Sequence, residues 1–220
     1  MIVARLKPLP ALLAAVGDSS PVLVAGCQGC VAVCAAGGDK EVNVVADLLE
    51  LDARRRGVER STFRITVPRQ CDCRFFDPLA AAMAAARVCV SLGCGVGVQY
   101  IADCYPDKPV IPGVDTLFAG GSQAAGVWEE RCRLCGDCLL GETGGICPVT
   151  RCAKGLLNGP CGGAVNGRCE VDAAKPCAWQ LIYERLKAQG RLAELEIIRP
   201  PKDWSAGAGA GPVVREDLVP

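Results

Sequence analysis

Eight of the chain's sixteen cysteines lie between Cys132 and Cys177, and they open with Cys132-Arg-Leu-Cys135-Gly-Asp-Cys138. Three thiolates spaced two residues apart on one tight turn can hold three corners of an iron–sulfur cube, with a more distant cysteine as the fourth. A Cys147-Pro148 pair follows after a longer gap, and Cys152, Cys161, Cys169 and Cys177 complete the segment. Eight thiolates suffice for two [4Fe–4S] clusters or for two four-thiolate zinc sites. A zinc ribbon uses Cys-x2-Cys pairs and would leave the third close cysteine spare, so the triplet favours iron–sulfur. The spacings of the last four cysteines suit either metal. The division of the eight between two sites stays open, because in two-cluster proteins the Cys-Pro cysteine serves the other cluster.

The remaining composition narrows the classes. With 220 residues, one or two domains are expected. Half the residues are apolar but only 5% are aromatic, so the core must be built from Ala, Val and Leu. Lys+Arg and Asp+Glu are equal at 24 each, with no basic block, which argues against a nucleic-acid partner. The absence of histidine removes mixed cysteine–histidine zinc sites, Rieske ligation, histidine-bound haem and any nucleophile–histidine catalytic pair. No catalytic residue is assigned. The chain is equipped for electrons rather than protons.

Arg5 and Lys7 precede an apolar stretch, Leu9 to Val16, but the stretch is short and Pro8 and Pro10 interrupt its start. A secretion signal is therefore not expected. No run approaches the ~18 apolar residues of a membrane span. A cytoplasmic, reducing setting, with thiols held by metal, fits better than a disulfide scaffold.

Residues 21–119 read as alternating strands and helices. Pro21–Gly26, Phe63–Val67, Val88–Leu92 and Pro109–Ile111 are strand-like; Asp39–Arg56, Pro78–Ala86 and Val96–Cys104 are helical. In the first helix Val42, Val45, Leu48, Leu49 and Leu51 fall mostly on one face, and Asp47, Glu50 and Asp52 read as its solvated side. The alternation predicts a small Rossmann-like parallel sheet with crossover helices. Residues 1–20 read as an N-terminal extension and the Gly/Ser/Ala-rich 120–130 as a linker. Residues 131–198 form an irregular, cysteine-rich, ferredoxin-like metal-cluster module with a helix at Trp179–Lys187, and 199–220 a flexible tail. The fold class is therefore α/β, the sheet domain being followed by the cluster module and a C-terminal helix.

The N-terminal cysteines follow this map. Cys27, Cys30 and Cys34 come just after the first strand, Cys71 and Cys73 after the second, and Cys94 after the third. Carboxyl ends of parallel strands converge on one edge, where ligands bind. A third metal site is expected there, on Cys27, Cys30 and Cys34 with Cys71 or Cys94 as the distal ligand. Cys89 and Cys104, inside a strand and a helix, read as core. Gly93-Cys94-Gly95-Val-Gly97 lacks the spacing of a dinucleotide loop, and its glycines read as letting backbone approach a cluster.

The run Trp-Glu-Glu-Arg-Cys132 … Glu142-Thr-Gly-Gly-Ile-Cys147-Pro … Arg151-Cys152-Ala-Lys-Gly-Leu-Leu-Asn-Gly-Pro-Cys161-Gly-Gly … Asn166-Gly-Arg-Cys169 … Cys177-Ala-Trp resembles the methylenetetrahydrofolate reductase C-terminal (MetV-type) family. Upstream, Cys27-Gln-Gly-Cys30 … Cys34 … Gly37-Gly38-Asp39-Lys40-Glu41-Val42, Arg69-Gln-Cys71 and Leu92-Gly-Cys94-Gly-Val-Gly-Val-Gln match it too, so the resemblance runs from about residue 21 to 195. It implies an accessory subunit of methylenetetrahydrofolate reductase, paired with a MetF-type flavin reductase subunit. That partner carries FMN and reduces 5,10-methylenetetrahydrofolate to 5-methyltetrahydrofolate in the methyl branch of the Wood–Ljungdahl pathway. Two [4Fe–4S] clusters in the C-terminal module and a third in the sheet domain would carry electrons to that FMN from a donor. The donor could be a ferredoxin, a nicotinamide-oxidising subunit or an Hdr-type subunit. The family is described in places as zinc-binding and in places as iron–sulfur, so the resemblance leaves the metal open. The alternatives are a zinc-binding structural subunit of the same reductase, and a sheet domain that itself binds a nucleotide or corrinoid.

Overall fold

The computed structural model describes residues 1–207 and 211–218 and divides into two compact units, Met1–Trp128 and Glu129–Pro220. In the first unit the chain runs β1 (Ile2–Leu6), α1 (Leu9–Val16), β2 (Val22–Cys27), α2 (Cys30–Val33), α3 (Asp39–Arg55) and β3 (Thr62–Val67). A 3-10 turn at Cys73–Phe75 leads through a second to α4 (Ala80–Ala85), β4 (Val88–Ser91), α5 (Gly95–Cys104), β5 (Val110–Pro112) and β6 (Val114–Ala124), and β7 (Val127–Cys132) begins at the unit's end.

The expected parallel sheet is present, in the order β3-β2-β4-β5, with Val22 opposite Thr62 and Val88. Its central strand β2 is buried at every position, because both faces are covered. Val22, Val24, Val88 and Val90 face a cluster that includes Leu12, Val42, Val45, Ala46 and Leu49 from α1 and α3. Leu23, Ala25 and Cys89 face the other cluster, with Leu79, Met83 and Ile101 from around α4 and α5. Alternate residues of each strand thus feed opposite cores.

Helix α3 forms where the charge pattern favours it. Asp39 and Glu41 sit at its amino end and Arg54 and Arg55 at its carboxyl end, and the Glu41 carboxylate accepts from the Gly38 N–H at 2.9 Å. Asp47 and Glu50 pair with Arg64, and Asp52 with Arg56, as a solvated face. Leu51 is 57% exposed; the buried stripe continues instead through Ala46 and Ala53.

Two stretches differ from the sequence expectation. Residues 2–16, read as an extension, are part of the fold: β1 pairs antiparallel with β6, Ile2 opposite Ala119, and Leu12 and Val16 enter the core. The apolar residues around Pro10 form a helix of about two turns, and Pro10 at its start costs nothing there. The 120–130 stretch, read as a linker, is the end of β6, a turn at Gly126 with φ +76°, and β7, in a sheet ordered β1-β6-β7. Small residues here lie in a hairpin, whose pairing needs no bulky side chain.

The second unit holds α6 (Pro148–Arg151) and α7 (Ala178–Ala188), with turns and isolated bridges joining Val165 to Arg168 and Arg168 to Pro176. Its apolar cluster is Trp179, Ile182 and Leu186 of α7, with Ile146, Cys152, Leu156, Cys177 and Leu195 against it. The tail expected over 199–220 is anchored at its start, while Trp204, Val213 and Val214 are exposed. The Arg199 guanidinium bonds to Glu142 and to the Leu157 carbonyl, and the Lys202 side chain is 2% exposed. Residues 208–210, within the Gly-Ala tract, and 219–220 lie outside the described residues. Among the described residues no helix is long and apolar enough to cross a membrane.

Candidate metal-thiolate sites

At the carboxyl edge of the parallel sheet, Cys27 ends β2, Cys71 follows β3, and Cys94 caps α5 after β4. Local desolvation pushes the Cys71 thiol up, and the neighbouring Cys27 and Cys94 thiols push it further. A thiol whose ionisation is opposed in this way is what a cation would relieve, since metal charge favours the thiolate. Cys71, one of the two proposed distal ligands, thus has both Cys27 and the other, Cys94, as neighbours. Cys30, at the first position of α2, is half-buried. Cys34 is placed differently: its buried sulfur accepts from the Ala4 N–H at 3.4 Å and lies 3.5 Å from the Ala4 and Val31 carbonyls, against β1.

A buried polar network sets this edge. Gln70, 1% exposed, donates from Nε2 to the Ala25 carbonyl at 2.9 Å, and Ser91 Oγ donates to Gln70 Oε1 at 2.6 Å. Ser91 Oγ also accepts from the Gly93 N–H at 3.2 Å. Gln70 thus joins the ends of β2 and β4 one residue before Cys71. The glycines of Gly93-Cys94-Gly95-Val-Gly97 serve it: a Cβ at Gly93 would lie 2.1 Å from Gln70 Oε1, and one at Gly97 2.6 Å from Gln70 Cβ. They make room for an amide side chain, where the sequence suggested close approach to a cluster. Gln70→Ala is expected to destabilise the first unit by about 2–3 kcal/mol, because the Ser91 hydroxyl and Ala25 carbonyl lose a buried partner. An unchanged denaturant midpoint would contradict this role.

Cys89 is buried in the core as expected, and burial pushes its thiol up to about 12. Cys104 is not core. It is exposed at the end of α5, where a helix edge turns to solvent, and its thiol meets that of Cys73.

In the second unit, Cys152, Cys161, Cys169 and Cys177 line one cavity, with Trp179 and Lys154 in its wall. Backbone bonds set its shape: the Cys169 N–H donates to Lys175 O at 3.0 Å and the Cys177 N–H to Gly167 O at 2.8 Å. Trp179 is held by an indole N–H bond to the Leu156 carbonyl at 3.0 Å. Lys154 is paired with Glu170 and hydrogen-bonds to Cys161, so its ammonium is held above the usual lysine range. The grouping separates these four cysteines from Cys132, Cys135, Cys138 and Cys147, a division the spacing left open.

The Cys132–Cys138 loop turns through left-handed backbone at Leu134 (φ +54°) and Gly136 (φ +75°), on either side of Cys135. The Leu134 N–H donates to Cys132 Sγ at 3.3 Å, the kind of amide–sulfur bond that tunes thiolate ligands. Cys147 caps α6, and its carbonyl accepts from the Arg151 N–H at 3.1 Å. Burial opposes the charge on Lys202, but bonds to Asp137 and Cys135 outweigh it and raise its range. Each C-terminal thiol set thus has an ammonium against one sulfur, and neither lysine was singled out by sequence reasoning. Lys154 stands two residues from Cys152, which was a usable signal; Lys202 had none. Lys202→Gln is expected to weaken metal retention at the Cys135 set by about 10-fold, read as transfer to a coloured chelator. Equal transfer from both proteins would show that Lys202 does not act on the site.

Among the described residues no three ligand side chains already stand at metal-binding distances from a common point. The donor chemistry nevertheless fits soft thiolate-bound metal: sulfur only, in three sets, with cations or amides against individual sulfurs. The molecule is therefore an α/β sheet domain followed by a turn-rich segment dense in free cysteines. Residues 111–205 match the family described as methylene-tetrahydrofolate reductase C terminal. No curated protein and no solved structure matches the chain.

Proposed function

We propose that this chain is an electron-transferring accessory subunit of methylenetetrahydrofolate reductase, passing electrons to the FMN of a MetF-type partner for reduction of 5,10-methylenetetrahydrofolate. The observation that carries the reading is the gathering of Cys152, Cys161, Cys169 and Cys177 around one cavity, within a segment of the reductase-associated family. Cys132, Cys135, Cys138 and Cys147 would form the second holding set, and Cys27, Cys71 and Cys94 with Cys30 a third. A [4Fe–4S] cluster, where bound, supplies one-electron redox chemistry. The chain's own residues hold and shield it. Trp179 walls off one side of the cavity, while Lys154 and Lys202 place positive charge against Cys161 and Cys135. Glycines with positive φ, Gly136 and Gly162 among them, let the backbone curl beside the cysteines. Folate chemistry stays on the partner.

A specific observation favours zinc at one set. The space enclosed between the four cysteines of that cavity is about 20 Å³, enough for a single ion. A four-thiolate zinc there, as a structural staple, is the second reading.

Iron, acid-labile sulfide and zinc per chain, in protein purified anaerobically with its partner, test both. About twelve iron and twelve sulfide support three clusters. About eight iron with one zinc supports a mixed chain. Zinc with negligible iron overturns electron transfer. Cys135→Ala is expected to abolish turnover driven by the physiological donor while leaving flavin reduction by an artificial donor intact. If both rates survive, the conduit reading fails.

A further inference from the structure

Cys73 opens the 3-10 turn that follows β3, and Cys104 closes α5. The turn packs on that helix, and the Phe76 and Tyr105 rings at the ends of the two elements stack at 6.5 Å, which brings the two thiols together. Both residues are exposed. The sets above use neither one: the thiol neighbours of Cys71 are Cys27 and Cys94, while that of Cys104 is Cys73. Asp72, between Cys71 and Cys73, fixes the turn, its carboxylate accepting from the Arg74 N–H at 3.1 Å and from its guanidinium at 2.6 and 2.9 Å. A single exposed thiol would signify little. Two that face each other from separate elements, open to solvent, form a unit that can lose two electrons together.

We propose that Cys73 and Cys104 are a dithiol–disulfide couple, separate from the metal-holding thiolates, whose co-reactant is a low-molecular-weight disulfide of the glutathione type. One cysteine thiolate attacks a sulfur of the incoming disulfide; that S–S bond breaks and one small thiol leaves. The second cysteine thiolate attacks the mixed disulfide, closing the Cys73–Cys104 bond and releasing the other small thiol. Two cysteine thiols lose two electrons and two protons, and the small disulfide gains both. An excess of the reduced small thiol runs the steps backwards. The bond would tie the segment just after Cys71 to the helix that begins just after Cys94, so its state is felt at two strand-end thiols.

The test uses the metal-loaded protein, anaerobic, exposed to rising oxidised glutathione, quenched in acid, alkylated and mapped by fragmentation mass spectrometry. The expected result is a Cys73–Cys104 linkage that forms with metal content unchanged and is reversed by dithiothreitol. In Cys104→Ser the linkage is lost and Cys73 carries a glutathione instead. Recovery of both cysteines as alkylated free thiols overturns the proposal. So do separate glutathiones on each in the unaltered protein, or bridges through Cys71 or Cys94 accompanied by metal loss. None of these outcomes depends on whether the metal is iron or zinc.

Discussion

Chelation under anaerobic, reducing conditions, which would strip the proposed metal, is expected to unfold residues 129–220 while leaving residues 1–128 folded. The asymmetry follows from the two interiors. The first unit closes two apolar clusters over both faces of a sheet, from Leu12 and Leu49 on one side to Leu79 and Ile101 on the other. The second has the cluster of Trp179, Ile182 and Leu186, and between its turns the chain is held by scattered backbone bonds. So small a core contributes only a few kcal/mol against the entropy of ordering the segment. In the proposed metal-bound chain, thiolate–metal bonds, worth on the order of 10 kcal/mol per structural site, would hold it. Hydrogen exchange before and after chelation reads the two units separately. Protection lost across 129–220 but kept in β2 and β4 is the expected pattern. Retained protection at Trp179–Leu186 without metal would show that the second unit folds on packing alone.

Gly37→Ala is expected to destabilise the first unit by about 3 kcal/mol and to release metal from the strand-end thiols. A Cβ on Gly37 would sit 1.9 Å from the Leu92 carbonyl oxygen, a backbone atom that cannot swing aside. Gly37 also accepts the Cys27 N–H at 2.9 Å, while the Leu92 N–H is tied to Ala25 at 2.8 Å. A shift of either strand end therefore moves Cys27 or the segment leading to Cys94. With total stabilities near 5–15 kcal/mol, such a loss is visible as a lowered denaturant midpoint. Gly57→Ala is the comparison, since a Cβ there meets nothing within 4 Å although φ is +73°. It carries backbone strain without the clash. Equal midpoints for the two variants would exclude the clash as the cause.

Much of this architecture was legible. The four strands of the parallel sheet, helix α3 and helix α7 stand close to where periodicity put them, because buried β-strands and amphipathic helices write their burial into residue order. The convergence of Cys27, Cys71 and Cys94 was legible too, since parallel strands must end on a common edge. Cys34 was harder: its spacing from Cys30 suits a ligand, yet the short α2 turns its sulfur to β1, a strand that sequence reasoning had placed outside the domain. Leu51 misled in the same way, lying on the edge of an apolar stripe whose centre the sheet shifted towards Ala46 and Ala53.

The order of residues alone determined that this protein would present three thiol-rich regions on an α/β frame and a turn-rich segment, because local spacing controls which sulfurs share a loop. Only the tertiary structure decided how those sulfurs group. It joined Cys152 to Cys177 around one cavity, set Lys202 against Cys135, turned Cys73 towards Cys104, and suspended Gln70 between β2 and β4. These partners meet by packing of elements far apart in the chain, and no spacing rule encodes contacts that exist only once the core has closed.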